Sequence, residues 1–218
     1  MRGDKIIVEL HHRQAGKGVV DRILQSNLTP PFGITVGGES GSGKSEIAQA
    51  IADELGNHAI QSIILGQDDY FIYPPRTNDT TRRADISWVG TQEVNLTLLD
   101  DHMGQILAGC SSLEKPLVIY DEDRIESESI PTSGVNVVIA EGTYVSQLTK
   151  ASVKVFIDRS FEETRAHREK RMRHASELDP FIDKVLKIEH EIISAHKKKA
   201  HVVIDTNYQA VDGPLPLS

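Results

Sequence analysis

The chain has 218 residues, enough for one domain with a sizeable core, and its 39% hydrophobic and 26% charged residues are ordinary for a globular protein. Its net charge of −8, from 32 acidic and 24 basic residues, argues against a binder of nucleic acid polymers, which would carry a basic face. The single cysteine, Cys110, excludes an intramolecular disulfide and suits a reducing cytoplasm; no signal peptide or membrane span is visible, so a cytoplasmic protein with no membrane partner is expected.

Residues 1–30 read as an N-terminal helical extension. Within it, Ile6, Ile7 and Leu10, then Val19, Val20, Ile23 and Leu24, form two short apolar stripes broken near Gly16 and Gly18. His11 and His12 are adjacent, face different sides of a helix, and read as solvated surface. Thr29-Pro30-Pro31 ends the segment, and Phe32-Gly33-Ile34-Thr35-Val36 follows as a buried strand. Next comes Gly38-Glu39-Ser40-Gly41-Ser42-Gly43-Lys44-Ser45, a complete G-x-x-x-x-G-K-[ST] motif. A helix opens at Glu46 with Ile47, Ala48, Ile51, Ala52 and Leu55 on one face, and Gly56 reads as its stop. Strand, glycine-rich loop and helix are the setting the motif requires. The glycines turn backbone N–H groups inward as an anion nest, and the helix N-terminus adds positive potential. Gly38 to Glu46 is thus the predicted nucleotide-binding stretch, with Lys44 reaching the β- and γ-phosphates of ATP and Ser45 ligating Mg²⁺.

Residues 59–65 form a second apolar strand, ending in Gln67-Asp68-Asp69-Tyr70-Phe71. Carboxylates at the carboxyl end of a parallel strand sit where such sheets bind ligands. Residues 74–83 read as a polar loop rich in arginine, either functional or a surface connection. Residues 94–107 have helical periodicity, 115–120 form a strand entering the acidic turn Asp121-Glu122-Asp123, and 124–130 can pair back as a hairpin. The apolar strand 135–140 ends in Glu141-Gly142, where a carboxylate can meet Mg²⁺ or the reacting hydroxyl; strands follow at 153–158 and 201–205. Strands alternating with helices predict an α/β fold, a mostly parallel sheet with helices on both faces. Arg165, Arg168 and Arg171 share one helical face in a region, about 160–199, that reads either as a phosphate-facing helical lid or as a solvated face paired with Glu162, Glu163 and Glu169. Two other motifs fail: His190-Glu191 lacks a histidine at 194, and the serines of the glycine-rich loop lack the spacing of a hydrolase elbow.

Taken together, residues 32–45, Gln67-Asp68-Asp69-Tyr70-Phe71, Val138-Ile139-Ala140-Glu141-Gly142 and Phe156-Ile157-Asp158 followed by Thr164-Arg165-Ala166-His167-Arg168 resemble the uridine kinase and phosphoribulokinase family of P-loop kinases, over about residues 32–205. The resemblance implies a P-loop NTPase fold and ATP:alcohol phosphotransfer with Mg²⁺. It implies that Asp68 orients or deprotonates the acceptor hydroxyl, that Glu141 is catalytic and, with Ser45, at the metal, and that Arg165 and Arg168 act from the lid with Lys44. Asp69 remains an alternative to Asp68 as the base. The substrate element of uridine kinases has no match in Trp88-Val89-Gly90-Thr91-Gln92-Glu93, so the acceptor stays open.

The expected kinase domain is 31–210. Its expected acceptor pocket is bordered by Asp68, Arg76, Arg82, Arg83 and Tyr120, whose arginines suit an anionic acceptor or else pair with Asp79 and Asp85. The partner is a small-molecule acceptor, with room for a homo-oligomer. The competing class is a nucleotide-dependent regulatory binder, or slow NTPase, without a small acceptor.

Overall fold

The computed structural model describes residues 6–164 and 179–217. Six strands form the main sheet, in the order β2-β5-β1-β6-β7-β8: β1 (Phe32–Gly38), β2 (Ser62–Gly66), β5 (Val137–Gly142), β6 (Ala151–Ile157), β7 (Val202–Ile204) and β8 (Ala210–Asp212). All neighbours are parallel except β7 and β8. A separate antiparallel hairpin joins β3 (Ser112–Ile119) to β4 (Arg124–Pro131), as the alternation at 124–130 suggests. β1 is buried at every residue, which explains why it reads as a continuous apolar run.

One face of the sheet is covered by α1 (Leu10–Gln25) and α2 (Lys44–Asn57), through Ala15, Val19, Val20, Ile23, Ile47, Ile51 and Leu55. α3 (Pro75–Ala84) lies beside the carboxyl ends of the strands. The other face packs against α4 (Leu96–Leu107), through Leu99, Met103 and Ile106, and against Ile193 of α5 (Pro180–Ile193).

The structure corrects several sequence expectations. Gly16 and Gly18 do not break the N-terminal helix, because α1 is continuous. A Cβ on Gly16 would lie 2.8 Å from the Ala50 backbone carbon, so the glycine lets α1 and α2 touch. The propensity cost of a helical glycine, about 1 kcal/mol, is outweighed by that packing. Gly56 lies inside α2, and the left-handed turn that follows is taken by Ala59 at φ 57°. Residues 75–84 are a helix, not a loop. Pro75 sits in its first turn and an Arg83–Asp79 pair at 2.8 Å spans one turn, in a segment whose polarity hides it from periodicity.

Arg165, Arg168 and Arg171 lie outside the described residues. Among the described residues no helix is long and apolar enough to cross a membrane.

Candidate active site

Sheet register sets the site. Val36 of β1 and Gly66 of β2 both pair with Glu141 of β5, so the loops after β1 and β2 and the Glu141 carboxylate share one edge. After β1 the chain turns through Gly41 (φ 75°) and Gly43 (φ 94°), left-handed positions suited to glycine, and α2 begins at Lys44. Lys44 Nζ donates to the Glu39 carbonyl at 2.9 Å. Ser42 Oγ is buried with no hydrogen-bond partner among the described residues, and a Cβ on Gly38 would lie 2.8 Å from it. A left-handed glycine turn, an orphaned hydroxyl and a lysine at a helix start fit a bound triphosphate.

Glu39 does more than line the loop. Its buried carboxylate accepts the Phe161 N–H at 2.7 Å and pairs with His190 Nδ1 at 2.7 Å, while Thr164 Oγ1 donates to the Ser40 carbonyl at 2.8 Å. Both flanks of residues 165–178 are therefore tied to the phosphate loop, and His190 serves that tie rather than a metal. His11 and His12 are not both solvated surface. His12 is buried with Nε2 3.4 Å from where a Gly43 Cβ would lie, and His11, one third exposed, packs at a tilt against Tyr208 with centroids 4.1 Å apart.

The neighbouring aspartates have different surroundings. Asp69 is buried, accepting Lys115 Nζ at 2.8 Å and the Val118 N–H at 3.0 Å, and thereby anchors the β3–β4 hairpin. Asp68 instead lines an open cleft of about 210 Å³ with Phe71, Tyr73, Pro75, Asn78, Arg82 and Tyr120. Glu141 has its pKa pushed up to about 7, by burial first and by the Asp68 charge second, against the pull of Lys44 and a hydrogen bond from Ser45. Gly142 has no room for a side chain, since a Cβ there would fall 2.3 Å from Gln67 Cβ; Gln67 Oε1 in turn accepts the Tyr144 N–H at 2.7 Å. Ser45 and Glu141 meet where a Mg²⁺ held largely by phosphate oxygens would need one carboxylate and one hydroxyl.

Of the expected acceptor residues, Asp68, Arg82 and Tyr120 reach the cleft, and Arg76 and Arg83 do not line it. Arg76 caps the hairpin turn, donating to the Asp121 carbonyl at 3.1 Å, and Arg83 bridges Asp79 and Asp179 at 2.8 and 2.9 Å. Among the described residues Asp85 pairs with no arginine; it caps the turn at Ser87. Sequence reasoning missed Glu93 and Glu189. Arg82 Nε meets Glu93 at 2.5 Å and its guanidinium meets Glu189 at 3.1 Å. Burial lowers the Arg82 pKa, but Glu189 and Glu93 outweigh it and leave the net shift upward; burial pushes that of Glu189 up. The Gly90-x-x-Glu93 spacing carried a local signal, since Glu93 accepts the Gly90 N–H at 2.7 Å, whereas Glu189 is too distant in sequence to carry one.

The model of the phosphoribulokinase/uridine kinase family matches residues 33–207. A uridine kinase of Bacillus mycoides is 27% identical over 195 residues, covering 84% of this chain and 90% of that protein. The bifunctional alpha-galactosidase/sucrose kinase AgaSK of Mediterraneibacter gnavus is 26% identical over 183 residues, which are 78% of this chain and 20% of that much longer protein. Among solved structures, a possible uridine kinase from Bacillus stearothermophilus superposes with a TM-score of 0.63 at 17% identity, over 88% of this chain and 97% of that one. Phosphoribulokinase from Rhodobacter spheroides gives 0.58 at 10% identity, over 84% and 75%. These structures share the P-loop kinase fold with this chain, and the chain belongs to the phosphoribulokinase/uridine kinase family.

Proposed function

We propose that the protein is an ATP-dependent kinase, similar to nucleoside kinases, that moves the γ-phosphoryl group to a hydroxyl of a small metabolite. The observation that supports this best is the Asp68 carboxylate. It borders the cleft while acting electrostatically on Glu141, which is hydrogen-bonded to Ser45 beside the phosphate loop.

In this reading Gly38 to Glu46 hold the triphosphate, and Lys44 bears on its terminal phosphates. Ser45 and Glu141 would hold Mg²⁺, which would supply charge neutralisation to the transferring group. Asp68 orients the acceptor hydroxyl and takes its proton as the new O–P bond forms and the bond to the β-phosphate oxygen breaks. Arg165 and Arg168 stabilise charge as the transition state develops. Arg82 and Tyr120 contact the acceptor.

ADP release from Mg-ATP, with and without a panel of nucleosides, sugars and small alcohols, tests the proposal. Stimulation by at least one acceptor is expected. A slow rate indifferent to every acceptor would overturn it in favour of a nucleotide-dependent regulatory binder.

A further inference from the structure

Arg82 is a cation on the wall of the acceptor cleft, and its charge is already matched. Glu93, with a side chain fully sealed from solvent, meets Nε; Glu189, 11% exposed, meets the far end of the guanidinium. Asn78 Nδ2 donates to the same Glu93 oxygen at 2.6 Å, and Trp88 Nε1 donates to Asn78 Oδ1 at 2.9 Å, so the pair is locked from behind. Two carboxylates face one guanidinium, and Asp68 adds a third negative charge in the cleft itself. Arg76 and Arg83 are engaged elsewhere.

We infer that this cleft selects an uncharged, polyhydroxylated ring and disfavours carboxylate- or phosphate-bearing acceptors, with Glu93 and Glu189 setting that preference through Arg82. The inference rests on the kinase reading and names the acceptor class within it. A guanidinium has five N–H donors, and two ion pairs leave some of them for hydroxyl oxygens. An anion would gain little from a cation whose field is cancelled, and would meet Asp68 at close range; like charges brought together at a binding surface cost several kcal/mol. Phe71, Tyr73 and Tyr120 line the cleft with aromatic residues, and Tyr73 is braced by Trp88 with centroids 5.5 Å apart. At about 210 Å³ the cleft lies below the roughly 300–1,000 Å³ of sites for drug-sized ligands, which suits one sugar ring. A nucleoside offers that ring as its ribose, and a free sugar offers it directly.

The test measures acceptor-dependent ADP release with three matched pairs: uridine against orotidine, glucose against glucuronate, and glycerol against glycerate. The neutral member should exceed its anionic partner in kcat/KM by about tenfold or more, the equivalent of one charged contact. The uridine and glucose arms distinguish a nucleoside from a free sugar. Glu189→Gln, checked for folding by thermal melting, should narrow the ratio about threefold or more, since it removes one of the charges matching Arg82. Preference for the anionic members would overturn the inference while leaving the kinase reading intact. An unchanged ratio in folded Glu189→Gln would overturn the role of the Arg82–Glu189 pair. Absence of acceptor-dependent ADP with any compound would overturn the kinase reading and this inference with it. Should the variant fail to fold, the wild-type pairs alone decide the preference.

Discussion

Asp69 and Lys115 form a buried ion pair at 2.8 Å that joins the turn after β2 to the β3–β4 hairpin, and this contact separates the roles of two adjacent aspartates. Glu128 approaches the same ammonium at 2.7 Å. Breaking a buried pair on one side leaves an uncompensated charge. Asp69→Asn should therefore lose stability, by about 3 kcal/mol, while the folded fraction keeps most of its turnover. Asp68→Asn should show the converse: a melt no lower than that of wild type, since the Asp68 charge opposes that of Glu141, and at least about a 10²-fold loss of phosphotransfer, with ATP affinity nearly kept. Chemical denaturation and steady-state kinetics on both variants check this, and the reverse ranking would move the base to Asp69.

Lys44→Ala should leave the fold intact, because among the described residues the side chain's one hydrogen bond is to the Glu39 carbonyl within its own loop. Its charge matters for the transferring phosphoryl group, so turnover at saturating Mg-ATP should fall by about 10²–10³-fold. Wild-type turnover would remove this lysine from the mechanism.

Glu141 titrates near 7 instead of near 4.5, for burial and the Asp68 charge favour its neutral form. The folded pKa is raised, so the folded state binds the proton more tightly than the unfolded chain. The resulting stabilisation is complete below about pH 4.5 and is lost as pH rises through 7. Glu141→Gln mimics the neutral form. It should melt higher than wild type in ligand-free protein at pH 8, by no more than about 3 kcal/mol, and this advantage should vanish toward pH 4.5. Activity should be lost at every pH. A melting difference that grows as pH falls would contradict the assignment.

Gly142→Ala should fail structurally. Its Cβ would sit 2.3 Å from Gln67 Cβ, and the β5 backbone cannot yield without shifting the adjacent Glu141. Overpacking of this kind costs about 1–3 kcal/mol. Reduced melting temperature together with reduced turnover is the expected result, and full activity would mean that the loop relaxes freely.

The parallel sheet and the phosphate loop were legible because their signals are local: a buried apolar run, glycines at fixed spacing, and carboxylates at strand ends. The carboxylates at 68–69 and at 141 stand out in this way, the choice of Asp68 over Asp69 rests on the family resemblance, and sheet register brings the two elements together. What escaped depended on contacts distant in sequence. Gly16 looked like a break because Ala50, which explains it, lies on another helix. α3 looked like a loop because its polar faces are satisfied by the hairpin turn at Asp123 and by Glu93 and Glu189. Three arginines in one short segment suggested an anion grip. Only the fold shows that two point elsewhere and the third is already matched.

β1 carries the phosphate loop, yet its neighbours come late in the chain: Phe32 pairs with Val137, and Ile34 with Val153. During synthesis this fully buried strand emerges long before either partner exists. Its backbone groups must wait for β5 until residues past 142 have left the ribosome, and for β6 until those past 157 have. Non-local parallel pairing of this kind folds slowly and leaves strand edges open to other chains. Yield of native protein should therefore fall with faster expression and recover with cooling or chaperone supply, a vulnerability located at the same strand that presents the nucleotide site.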